Sequence, residues 1–97
     1  MKPNIEKVKA LARDLRTEAP RPANEELGGF QMAARCLDKC RATIVGWQGD
    51  FKYNCHMDQE FLQEAGLDAG EFKDYVGSGA TDEEVSEWIE QHSHAHT

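Results

Sequence analysis

Residues 28–45 read GGFQMAARCLDKCRATIV, and the periodicity of this stretch decides the fold. Placed on a helix at about 100° per residue, Phe30, Ala33, Ala34, Leu37, Cys40, Ile44 and Val45 share one broad apolar arc. Arg41 projects into the middle of that arc, Asp38 lies at its edge, and Arg35 sits one step further round. One helix therefore carries an Arg–Asp–Arg ladder at i, i+3 and i+6, with one guanidinium aimed at the core. A buried cation without a partner costs more than a small domain can spare, so an anion must meet Arg41. Asp38 is nearest in sequence, and Asp14 and Asp58 are the long-range candidates.

Upstream of this helix, Asn4 can cap a first helix whose apolar stripe is Ile5, Val8, Leu11, Ala12 and Leu15. That helix must fail by Ala19, because Pro20 disfavours helical geometry in the residue before it. Residues 17–24, TEAPRPAN, form an extended connector in which two prolines give Arg21 a fairly fixed direction. Asn24, Glu25 and Glu26 suit a helix start. Gly28-Gly29 then either breaks the chain or lets another backbone pack closely.

Downstream, Gly46 ends the central helix. In WQGDFKYNC, residues 47–55, Phe51, Tyr53 and Cys55 alternate with polar neighbours, which is compatible with a short β-hairpin near 47–54. The remainder is three short helices. The first runs over about 57–65 with Gly66 as its stop. The second is capped by Asp68…Glu71 and ended by Gly77, and the third is capped by Thr81…Glu84. The predicted fold is all-α or nearly all-α: a small single-domain helical bundle over residues 1–97 around one central helix at 29–45. Residues 1–4 and 92–97 are expected to fray.

The bulk numbers narrow the function classes. Residues 1–50 hold nine Lys/Arg against seven Asp/Glu, a net +2, and residues 51–97 hold two against eleven, a net −9. A chain of net charge −7 is poorly suited to nucleic acid, where phosphate neutralisation supplies the affinity. It suits anionic membrane surfaces no better. No apolar run reaches the roughly 18 residues of a transmembrane helix, and the charged N-terminus lacks a secretory h-region. Three cysteines, an odd count at low density, point to reduced thiols in a cytoplasm.

The strings LARDLRTEAPRPANEELGGFQMAARCLDKCRATIVG, YNCHMDQEFL, GLDAGEFKDYV and TDEEVSEWI resemble the bacterial domain of unknown function 5069 family. The resemblance covers roughly residues 11–90, and the tail HSHAHT lies outside it. Family-like positions include Asp14-Leu15-Arg16, Pro20, Arg21, Leu27-Gly28-Gly29, Arg35, Asp38-Lys39, Arg41-Ala42, Tyr53-Asn54-Cys55, Asp58, Phe72 and Trp88. The pattern often has proline where this chain has Ala19 and His56. The resemblance implies a small, cytoplasmic, mainly helical bacterial domain, and it brings no reaction.

Several constellations bear on chemistry. Arg21, Arg35, Lys39 and Arg41 outnumber the carboxylates beside them, and guanidinium forks suit a carboxylate or phosphate. The candidate ligand-binding set is therefore Asp14, Arg21, Arg35, Asp38, Lys39, Arg41, Asn54 and Asp58, for a small anionic metabolite. The competing structural role is a buried ladder that fastens the central helix to its neighbours. An enzyme would use Asp38 or Asp58 as general base, but no triad supports nucleophilic chemistry and no cofactor is implied. Cys36, Cys40 and Cys55-His56 could form a Cys₃His zinc site, yet their mid-helix spacing fits core thiols better. His92, His94 and His96 could chelate a metal, although a terminal tail of this kind usually has no native role. Glu83, Glu84, Glu87 and Glu90 suit a solvated face, or alternatively a docking surface for a basic protein partner.

Overall fold

The computed structural model describes residues 3–93, and within them the chain forms five helices around one apolar core. They are α1 (Ile5–Leu11), α2 (Ala33–Val45), α3 (His56–Ala65), α4 (Ala69–Gly77) and α5 (Asp82–His92). No strand is present among the described residues, only an isolated bridge between Leu27 and Phe30.

The first helix starts where its cap is written. Asn4 Oδ1 accepts from the Lys7 amide, and the Asn4 amide donates to Gly77 O at 2.7 Å. The helix stops at Leu11, well before the proline, because Ala12 turns extended. Leu15, read as the last residue of the helical stripe, is instead buried from a turn, its amide bonded to Trp47 O at 3.0 Å. Of the ends expected to fray, Asn4 is therefore held, and His92 closes α5 with its ring stacked on Trp88. Residues 1–2 and 94–97, including His94 and His96, lie outside the described residues.

The central helix begins at Ala33, four residues later than position 29. Leu27 and Phe30 exchange backbone hydrogen bonds across Gly28 and Gly29, both at positive φ. A two-residue turn of that geometry favours glycine. A β-carbon on Gly28 would fall 2.9 Å from the Ile89 side chain, so the turn also lets α5 pack against bare backbone. Gly28→Ala should lower stability by roughly 1–2 kcal/mol through strain and contact with Ile89. Denaturant unfolding checks this, and an unchanged midpoint would refute the close-packing argument.

The hairpin near 47–54 does not form. Phe51 N–H closes a turn onto Gln48 O, and Gly49 approaches so near that a β-carbon would sit 2.8 Å from Leu15 O. The alternation in this segment has another origin. Tyr53 stacks on Phe72 and donates to Ala69 O, while Phe51 lies under the Arg35 guanidinium.

The acidic half follows its punctuation closely. Gly66 closes α3 in the left-handed conformation, Asp68 accepts from the Glu71 amide, and Thr81 and Glu84 form a reciprocal capping box. The second of these helices ends at Gly77, as its last residue, with Ser78 as the cap. Phe72, fully buried, sits at the centre of the aromatic packing, touching Phe61, Tyr53 and Trp88. Cys36 and Cys40 are core residues of α2, where burial pushes both thiols up. No described helix is long and apolar enough to cross a membrane.

Candidate functional site

The connector, α2 and the start of α5 converge on one polar cluster. Pro20 is buried and fixes the approach of Arg21, whose backbone N–H donates to Asp38 Oδ2 at 2.8 Å. The same side chain grips Asp38 a second and third time, Nε to Oδ2 at 3.1 Å and Nη2 to Oδ1 at 2.9 Å. Its remaining nitrogen, Nη1, donates to Asp82 Oδ2 at 2.8 Å. The fixed direction expected of a residue between two prolines is thus used twice, by main chain and by side chain.

Arg41 is 3% exposed, as its place on the apolar arc requires. Its partner is none of the three carboxylates its sequence position suggests. Nη1 donates to Asp82 Oδ1 at 2.7 Å and Nη2 to Ala80 O at 2.8 Å, while Nε is buried with no hydrogen-bond partner among the described residues. Asp38 is consumed by Arg21. Asp14 forms an exposed pair with Arg16, bidentate at 2.9 Å for each bond. Asp58 lies in a separate pair with Lys39.

Nothing in the sequence sets Asp82 apart, because it is one of three consecutive acids opening a helix, a pattern normally left in water. What places it is the Thr81 cap, which sets the first turn of α5 beside Ala80 and so against Arg41. The carboxylate bridges two guanidiniums while its side chain stays 45% exposed. Burial alone would raise its pKa, but the hydrogen bonds from Arg41 and Arg21 outweigh this and hold it below the usual carboxylate range. For Arg21 burial likewise opposes the charge, and Asp38 and Asp82 together keep the guanidinium above its ordinary value.

Over this cluster opens a cleft of about 700 Å³ between the end of α1, the connector and the first turn of α5. Arg21, Asp38 and Arg41 line it, joined by Arg13, Glu18, Asp82 and Glu83. Arg13 spans the connector, donating to Ala19 O at 3.0 Å. Alanine in place of the common proline at position 19 does not stop that carbonyl from being held.

The other predicted residues lie elsewhere. Arg35 reaches Arg21 O at 3.3 Å and covers the Phe51 ring, so the i, i+3, i+6 ladder is split between partners rather than continuous. Lys39, Asn54 and Asp58 build a second cluster at the N-terminus of α3. Lys39 Nζ is 3.0 Å from Asp58 Oδ1, with the two side chains 5% and 0% exposed. Asp58 Oδ2 accepts from the Asn54 and Cys55 amides. Asn54 takes part through its backbone, at φ 65°. His56 opens α3 and pairs with Glu60 at the surface. Proline at that first helical position would be equally at home, so the helix start survives the substitution. Glu84, assigned to the solvated face, spends its carboxylate on the Thr81 amide. Among the described residues no group of three or more metal-ligating side chains comes together.

Residues 17–97 match the model of a domain of unknown function, DUF5069. The match starts somewhat later than the motif resemblance and includes the histidine tail that the resemblance left outside. No curated protein matches the chain.

Proposed function

This chain belongs to the DUF5069 family, and on that premise we propose that it is a non-enzymatic cytoplasmic binding module that takes a small anionic ligand in the cleft above Arg21 and Arg41. One observation carries this reading: the Asp82 carboxylate bridges both guanidiniums, at 2.8 and 2.7 Å, on the wall of an open cleft. A position where one carboxylate satisfies two planar forks is suited to another carboxylate or a phosphate. Asp82 holds it by tether, from a half-exposed side chain, so a ligand competes with an internal counter-ion.

The lining also selects among anions. Glu18 and Glu83 add negative charge at the rim, which disfavours polyanions and favours a single carboxylate or phosphate, best of all beside an ammonium. Acid–base catalysis fits less well. Both Asp38 oxygens are engaged by Arg21, and Asp58 is fully buried against Lys39.

The test is a thermal-shift screen of the full chain against inorganic phosphate, small carboxylates and amino acids. A binder at a hundredfold excess over Kd stabilises by about 2.7 kcal/mol. Asp82→Asn should bind the same compound more tightly, because its neutral amide is a weaker competitor, whereas Arg21→Gln should lose it. Circular dichroism confirms that each variant is folded. If no compound shifts either the wild type or Asp82→Asn, the binding reading fails and the cluster is an internal fastening.

A further inference from the structure

The second cluster contains chemistry that the cleft does not use. Lys39 Nζ lies 3.2 Å from Cys55 Sγ as well as 3.0 Å from Asp58 Oδ1. Lys39 and Asp58 are buried, whereas Cys55 is partly exposed, which sets the pair at the edge of the core with the amine on its inner side. Nitrogen and sulfur are already at the separation of a near-attack pair, about 3–3.5 Å. We propose that Lys39 and Cys55 are a redox modification site, forming a reversible sulfur–nitrogen cross-link when the protein meets a hydroperoxide.

The step balances within the cluster. Peroxide oxidises the Cys55 thiol by two electrons to a sulfenic acid, and its second oxygen leaves as water. Lys39 passes one ammonium proton to Asp58, and the freed lone pair attacks Sγ. The sulfur–oxygen bond breaks, and the departing hydroxide takes a second proton from nitrogen and leaves as water. Sulfenic acids condense with backbone nitrogen in the same way. The product replaces an ammonium–carboxylate pair with a neutral sulfenamide beside a neutral carboxyl, so no uncompensated charge is left in a buried site. Cys36 and Cys40 are poor competitors, since both are fully buried and held as thiols. The cross-link would pin the middle of α2 to the residue that caps α3, and thiol reductants would release it.

Hydrogen peroxide treatment of the full chain, followed by intact mass and non-reducing peptide mapping, tests this. The expected product is lighter by about two mass units, with the Lys39 and Cys55 peptides joined, and dithiothreitol restores the original mass. Cys55→Ser should give no such product. Lys39→Arg keeps a cation opposite Asp58 but offers no amine, and should halt at a sulfenic acid that dimedone traps. Wild-type Cys55 that proceeds to sulfinic acid without joining Lys39 would overturn the proposal. A disulfide to Cys36 or Cys40, which has the same mass and a different peptide map, would also overturn it, as would a Cys55 that does not react.

Discussion

Replacing Lys39 by methionine should cost about 3–5 kcal/mol, the penalty for stranding a buried charge. Asp58 is 0% exposed, and its Oδ1 faces the lysine ammonium at 3.0 Å. Methionine fills much of the lysine volume, so little of the loss comes from packing. The two amide donors on Oδ2, from Asn54 and Cys55, do not neutralise the carboxylate. A domain of this size is stable by only about 5–15 kcal/mol, so the variant should melt lower by something on the order of 20 °C. The decisive comparison is Lys39→Met with Asp58→Asn added. The asparagine carbonyl can still accept from the Asn54 amide, but it carries no charge, so the double variant should recover at least half of the loss. A double variant no more stable than Lys39→Met would place the cost in packing and refute the charge argument.

What could be read along the chain was what is decided locally. Gly46, Gly66, Asp68 and Thr81 mark helix ends because each acts within one turn of itself, and the apolar arc of α2 is a property of spacing alone. The failures share a cause in distant contacts. Leu15 keeps helical spacing, yet it is buried through Trp47 and the turn at Gly49. Gly28-Gly29 offered a break or a close approach, and the chain uses both, with Ile89 as the neighbour. The need for a counter-ion at Arg41 was legible from its place on the arc, but the identity of that counter-ion was not, because Asp82 arrives 41 residues later on another helix. Likewise Lys39 counts along the sequence as one of several surplus cations, yet its charge is spent inside on Asp58.

Asp82 should therefore behave unlike its neighbours in the first turn of α5. Asp82→Ala removes the only carboxylate bonded to Arg41 among the described residues and leaves that guanidinium, within them, with the Ala80 carbonyl. Because the Asp82 side chain is 45% exposed, water screens part of the pair. The loss should fall at the lower end for a buried pair, about 3 kcal/mol. Glu83→Gln, on the same turn and without a guanidinium partner among the described residues, should stay within about 0.5 kcal/mol of wild type. The pH dependence carries its own sign. The folded-state pKa of Asp82 is lowered, so its stabilisation is complete above the unfolded carboxylate value near 3.9 and is lost as pH falls through the lower folded value. The stabilities of wild type and Asp82→Ala in denaturant unfolding should differ by a constant amount from neutral pH down to about 5, and the gap should begin to close only below about 4, shrinking further as pH falls through the folded value. A gap that persists undiminished into acid would mean that the charge on Asp82 is not what holds Arg41, and the cleft would lose its bridging counter-ion together with the argument for an anion in its place.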